Sequence, residues 1–233
     1  MNIALLGYGK MGKIIEKMAL KRGHSIGFKS SSAGIEGELS SCDVAIDFSI
    51  PDVAVEHISS CLNKHIPIVS GTTGWLENYE QITALCQEKN GAFIYASNFS
   101  LGVNIFFELN KQLAKMMARI TDYSVNLEEI HHTQKLDAPS GTAITLAEGI
   151  IENSTKTQWT LGEAQSNELP IVAKRIEKVP GTHIVSYESA IDSIEIKHTA
   201  HNREGFALGA IVAAEWLQHK TGVYTMNDVL NLR

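Results

Sequence analysis

The sequence predicts an α/β fold in which a doubly wound parallel sheet is followed by a second, α+β domain with a mixed or antiparallel sheet. Three observations carry this. Over the first hundred residues, short β-branched runs alternate with longer segments of helical period, the mark of βαβ units. Beyond Phe99 strand-like runs follow one another with little helix between them. The 233 residues are 44% hydrophobic and 20% charged, enough apolar material for one large core or two small ones.

Taken in order, strands are expected at 3–6, 25–28, 44–48, 66–70 and 92–96, where Ile, Val and Phe cluster between turn residues. Helices are expected at 10–21, 52–63 and 77–89, each with apolar residues recurring at spacings of three and four. A helix at 101–119 leads into an extended run at 123–131, a turn rich in Asp, Pro, Ser and Gly, and a helix at 141–152. Residues 153–168 are polar and aperiodic, so a loop is expected there. Strands follow at 171–176, 183–189 and 193–199, and a last apolar helix at 205–219 should pack back onto the first domain. The expected domains are therefore 1–100, completed by 205–233, and 101–204.

Charge narrows the partners. With 20 Lys and Arg against 26 Asp and Glu, the net charge of −6 argues against a nucleic-acid footprint. No apolar stretch approaches the roughly 20 residues that span a bilayer, and the short run at 3–6 is interrupted at once by glycine, unlike a signal peptide. A cytoplasmic location is expected. Cys42, Cys61 and Cys86 form no CxxC pair and read as reduced, mostly buried thiols.

Gly7, Tyr8, Gly9, Lys10, Met11 and Gly12 spell GxGxxG directly after an apolar strand and at the start of a helix. The first glycine permits the tight turn, the second lets backbone approach a pyrophosphate, and the third lets helix and strand pack closely. The helix N-terminus then holds the anion. A dinucleotide site is therefore expected at this turn. The second strand ends in Phe28, Lys29 and three serines, with no carboxylate to select the ribose 2′-hydroxyl. Lys29 beside those hydroxyls favours a 2′-phosphate, so NADPH is expected ahead of NADH. Gly71, Thr72 and Thr73 follow the fourth strand, and Ala96, Ser97, Asn98 and Phe99 follow the fifth. Loops at the carboxyl ends of parallel strands face the ligand crevice.

The densest polar cluster is EIHHTQKLDAPSGT at 129–142. It places two imidazoles, an ammonium and a helix start within short reach, a site for a small anion and proton transfer. A lysine near another cation or in a dry pocket can join in the proton transfer. The amides of Gly141 and Thr142, with the Thr142 hydroxyl, suit a carboxylate. No metal is expected, because His131 and His132 point to opposite faces of a strand and no acidic or Cys partner stands at ligand spacing. Arg203 and Phe206 are candidates to meet a phosphate and a nicotinamide ring. No Tyr is followed four residues on by Lys, so the short-chain dehydrogenase pair is absent. Another dinucleotide oxidoreductase, such as a semialdehyde or amino-acid dehydrogenase, would share the first domain without needing the 131–142 cluster. A non-catalytic dinucleotide sensor is the other alternative.

Together GYGKMG at 7–12, DFS at 47–49, SGTTG at 70–74, SNFSLGVN at 97–104, HHTQKLDAPSGTA at 131–143 and HNREGFALGA at 201–210 resemble the dihydrodipicolinate reductases of the diaminopimelate route to lysine. The resemblance implies NAD(P)H-dependent reduction of 4-hydroxy-tetrahydrodipicolinate, by way of dihydrodipicolinate, to tetrahydrodipicolinate. It implies that His131 acts in acid/base chemistry, that Lys135 donates the proton, and that His132, Gly141 and Thr142 bind the dicarboxylate. It also implies that the second domain builds a homotetramer. Two departures stand out: Ile50 occupies a place where many relatives carry Arg, and the second strand lacks their acidic residue.

Overall fold

The structure is a computed structural model that describes residues 1–232. Its elements in chain order are β1 (Asn2–Leu6), α1 (Lys10–Lys21), β2 (Ser25–Ser31), β3 (Gly34–Gly37), β4 (Val44–Asp47), α2 (Pro51–Asn63), β5 (Ile68–Ser70), α3 (Tyr79–Glu88), β6 (Ala92–Tyr95), α4 (Leu101–Met117), β7 (Ser124–His131), α5 (Gly141–Ile151), β8 (Gln158–Leu161), β9 (Glu168–Arg175), β10 (Gly181–Glu188), β11 (Ser193–Ala200), α6 (Glu204–Leu217), β12 (Gly222–Tyr224) and α7 (Met226–Leu230). They fall into two units, one running from Met1 to Leu101 and resuming at Arg203, the other Gly102–Asn202.

In the first unit a seven-stranded sheet has the order β12-β6-β5-β4-β1-β2-β3. All neighbours are parallel except β2 and β3. Strands buried on both faces must be apolar throughout. Residues Ile3 to Leu6 and Val44 to Ile46 meet that demand, the two faces feeding separate cores. Helices α1 and α6 cover one face, α2 and α3 the other. Helix α6 is rich in Ala and Gly because it lies close to the sheet: a Cβ on Gly209 would fall 1.6 Å from the Phe99 carbonyl oxygen. Its own Ala207, Ala210, Ile211, Ala213, Ala214 and Leu217 are fully buried. The chain leaves β1 toward β2 on one side and reaches β4 on the other, and a ligand crevice belongs at that switch point.

In the second unit the order is β11-β10-β7-β9-β8. β10 runs antiparallel to β7 and β11, whereas β7 to β9 and β9 to β8 are parallel, which makes the sheet mixed. Along β7 the residues alternate, so that Val125, Leu127, Glu129 and His131 all face inward. The first two join the apolar core under α4 and α5. The next two extend the same face with polar groups.

Four short elements escaped the sequence reading. Residues 153–168 are not a loop throughout: 158–161 form the edge strand β8, with Trp159 half-buried against the core. β3 is a wholly exposed four-residue hairpin partner of β2. β12 and α7 follow the last expected helix and pack at the β6 edge. Each is too short for periodicity to register.

Candidate active site

The turn after β1 needs glycine. Gly7 has φ of +88°, and a Cβ there would sit 2.3 Å from the Phe48 carbonyl oxygen. A Cβ on Gly12 would meet the Gly7 oxygen at 2.8 Å, whereas one on Gly9 meets nothing within 4 Å. Gly9 opens α1 without a side-chain cap. It lies with Gly7, Tyr8, Lys10 and Met11 on a cavity of about 740 Å³ whose further lining includes Ser30, Ser31, Ser32, Phe48, Ile50, His57, Gly71, Thr72 and Thr73. Open space above an uncapped helix start is what a pyrophosphate requires, so the lining fits a dinucleotide.

Beneath the cavity lies Asp47, fully buried at the end of β4. Ser49 Oγ, Ser70 Oγ and Thr72 Oγ1 donate to its carboxylate at 2.6, 2.9 and 2.7 Å, and His57 Nδ1 lies at 3.2 Å. The Ser49 amide in turn donates to Thr72 Oγ1 at 2.8 Å. One buried acid thus joins the loops after β4 and β5.

The second unit has its own cluster. Glu129, fully buried on β7, stands opposite His183 of β10, while Arg175 of β9 stands opposite His131. Arg175 Nη1 and Nη2 each donate to Glu129 Oε1 at 3.2 Å, and the Ser140 amide donates to Oε2 at 3.0 Å. His131 Nδ1 lies 3.5 Å and His183 Nε2 3.8 Å from Oε2. The imidazole rings of His131 and His183 meet edge to face at 5.0 Å. Burial raises the Glu129 carboxyl, but the Ser140 bond, His131 and Arg175 outweigh it and hold the group below its usual range. Burial lowers His131, opposed by Glu129, and lowers His183 to about 4, aided by His131. Lys135 Nζ donates to both oxygens of Asp137 at 2.8 Å. Ser140 caps α5, its Oγ accepting from the Ala143 amide at 3.2 Å, and a Cβ on Gly141 would meet nothing within 4 Å.

Family models for the dihydrodipicolinate reductase N-terminus and C-terminus match residues 1–99 and 102–230. The chain belongs to the dihydrodipicolinate reductase family. A 4-hydroxy-tetrahydrodipicolinate reductase of Christiangramia forsetii is 58% identical over 99% of this chain and 98% of its own. One of Neisseria meningitidis is 32% identical over 93% of this chain and 84% of its own. Among solved structures, a dipicolinate-bound dihydrodipicolinate reductase of Paenisporosarcina sp. TG-14 superposes with a TM-score of 0.77 at 22% identity, covering 97% of both chains. The fold and the oxidoreductase class expected from the motifs are those of the family.

Within this reductase the expected residues part into groups. The 7–11 turn and the 71–73 loop share the cavity. Lys29 is absent from that lining: it pairs with Glu16 at 2.7 Å and lies 4.6 Å from the centroid of the Tyr8 ring, whose hydroxyl donates to the same acid. Phe99 is buried in the core beside Phe48, at a centroid distance of 5.9 Å, and Ala96 packs against that core. Arg203 is exposed at the start of α6 and Phe206 is half-buried. Of the 131–142 cluster, His131 ends β7 and is buried, whereas His132 lies beyond the strand and is half-buried.

Two expectations about that cluster need correction. An acid does stand at ligand distance from a histidine, because Glu129, two residues before His131, shares its face and β10 adds His183. Donor atoms of these three lie within 4.8 Å of one another. The neighbour of Lys135 is an acid, Asp137, rather than a second cation. Glu129 was legible from strand alternation alone; Arg175, His183 and Asp47 act through pairings of distant strands and loops that no local pattern announces.

Proposed function

We propose that this enzyme reduces 4-hydroxy-tetrahydrodipicolinate, by way of dihydrodipicolinate, to tetrahydrodipicolinate, with NADPH preferred and NADH accepted. The observation that carries the reading is the end of β7, where His131, the turn bearing Lys135 and the start of α5 gather two proton-handling groups and an anion-binding helix terminus. The relative from Paenisporosarcina is described with dipicolinate bound, a ring dicarboxylate of the class such a site takes. His132, Gly141 and Thr142 hold a carboxylate, with open space above Gly141 for its approach. His131, neutral because it is buried, accepts and returns a proton, and Lys135 donates the proton that completes reduction. Bound NAD(P)H supplies the hydride.

On the cofactor side, Ser30, Ser31, Ser32 and Lys10 line the cavity and no carboxylate is among its described lining residues, which favours a 2′-phosphate. Lys29 serves that end by holding the Tyr8 ring. The 96–99 loop, Arg203 and Phe206 are assigned to the nicotinamide half. A homotetramer in the cytoplasm completes the reading; Val172 and Ile194, exposed on the second sheet, offer apolar surface for association, and light scattering measures the assembly. No helix among the described residues is long and apolar enough to cross a membrane. The test follows nicotinamide absorbance with enzymatically generated substrate and each cofactor in turn. Oxidation of both, faster with NADPH, is expected; oxidation of neither overturns the reading.

A further inference from the structure

The turn between β7 and α5 has no regular secondary structure, yet it carries Lys135 and delivers the chain to Gly141. Beyond its own bond from the Lys135 amide to the His132 carbonyl at 3.1 Å, it is gripped by the half-buried Arg175 and the buried Glu129. Arg175 donates through Nε to the Lys135 carbonyl at 3.3 Å and through Nη2 to the Asp137 carbonyl at 2.7 Å. Glu129 accepts the Ser140 amide. The same guanidinium and carboxylate bind each other, so one ion pair holds the middle of the turn and its α5 end. A planar fork that satisfies a carboxylate and two carbonyls at once is something only arginine supplies.

We propose that the Glu129–Arg175 pair is the positioning element of the reaction: Arg175 sets the place of Lys135 through backbone carbonyls, and Glu129 sets the start of α5 and the orientation of His131. This rests on the reading of His131 and Lys135 as the proton-handling groups. Neither Glu129 nor Arg175 needs to touch substrate. A misplacement of about 1 Å in a reacting group can cost on the order of 10²-fold in rate, and the pair governs placement at this scale. Glu129 also acts on His131 electrically. The charged groups around His131 are Glu129 on its own strand, Lys135 and Asp137 in the turn, Arg175 on β9 and His183 on β10. Of the two acids, Glu129 is the one that touches the ring, and it favours the protonated form.

The test uses Glu129→Gln, Arg175→Lys and the charge-neutral double variant Glu129→Gln/Arg175→Met, alongside His131→Ala and Lys135→Ala in the full-length enzyme. Arg175→Lys keeps the charge but loses the fork, and should lower kcat by about 10²-fold with NADPH affinity and the pH profile retained. Glu129→Gln should lower kcat comparably and move the His131 limb of the kcat/KM profile to lower pH, a shift that a purely structural role leaves out. The double variant buries no unpaired charge, so it should fold and bind NADPH while turning over slowly. Normal turnover in Arg175→Lys and Glu129→Gln, or in the double variant where the singles do not fold, overturns the proposal. So does a parallel fall in turnover and NADPH affinity, or failure of all three variants to fold, which assigns the pair to the fold. Normal turnover in His131→Ala and Lys135→Ala defeats instead the reading on which the proposal stands.

Discussion

Asp47 in the first unit and Glu129 in the second are both fully buried carboxylates at the end of a strand, yet they are held by opposite means. Asp47 is surrounded by hydroxyls of Ser49, Ser70 and Thr72, with His57 at the margin. Glu129 faces a full cation, Arg175, and a backbone amide. Two of the residues whose hydroxyls bind Asp47, Ser49 and Thr72, line the cavity, so this acid organises the surface to which the cofactor is assigned in the proposed function. The cation that binds Glu129 reaches onward to the carbonyls of Lys135 and Asp137, so this acid organises the turn to which proton transfer is assigned in the proposed function. On the proposed function, cofactor binding falls to the first unit, and substrate binding with proton transfer to the second.

The largest effects should fall on the second side of that division. His131→Ala and Lys135→Ala are each expected to lower kcat by about 10²- to 10⁴-fold while the NADPH dissociation constant, read from fluorescence quenching, stays unchanged. Asp47→Ala should do the reverse. It strands the buried Ser70 and Thr72 hydroxyls, at about 1–3 kcal/mol per unsatisfied group, so unfolding in urea should cost about 3 kcal/mol less. NADPH should bind more weakly, with kcat near normal at saturating cofactor. A drop in saturated kcat with unchanged NADPH binding in Asp47→Ala would break the division.

The same division explains how much was legible in the sequence. Gly7, Gly9 and Gly12 announce the cofactor turn because its parts are contiguous and each glycine has a separate steric duty. The βαβ rhythm announces the sheet because strands buried on both faces must be apolar throughout. The second site is contiguous only in part. His131, Lys135 and Gly141 lie within one motif, but the charge that restrains them comes from Arg175 and the second imidazole from His183, set across the sheet by strand register. Register depends on which strands become neighbours, and a parallel β7–β9 pairing in a mixed sheet leaves no trace in either strand alone. β8 was missed for a related reason: an edge strand with no buried residue, only Trp159 and Thr160 half-buried, lacks the alternation that marks a strand.

The buried imidazoles give the second unit a pH dependence of its own. His183 sits at about 4 in the folded protein against an ordinary 6.5, so between those values the unfolded chain binds the proton more readily. Stability from this source is therefore complete above about pH 6.5, declines as pH falls, and is fully lost below about 4; the loss at about pH 5 should reach roughly 2 kcal/mol. His131, also lowered by burial, adds in the same direction. Urea titrations across this range should give a clear slope, and His183→Gln should flatten it. A slope unchanged in His183→Gln would move the titrating group elsewhere.

The smallest change tests placement alone. Gly181, at the start of β10, lies against the His131 ring: an added Cβ would meet Nε2 at 3.1 Å and Cδ2 at 3.3 Å, with His183 Cε1 at 4.0 Å. Those first two contacts are tighter than side chains normally tolerate, so the ring must yield by a few tenths of an ångström, with no charge gained or lost. Gly181→Ala should therefore fold, bind NADPH normally and keep the pH profile of turnover, while kcat falls by up to about 10-fold, short of the 10²-fold that a full ångström costs. The measurement is kcat and KM beside an NADPH titration. A fall in kcat without a shift in the His131 limb isolates position from charge, which Glu129 supplies together. Unchanged kcat would mean that the ring has room to spare, and that packing against Gly181 does not set its orientation.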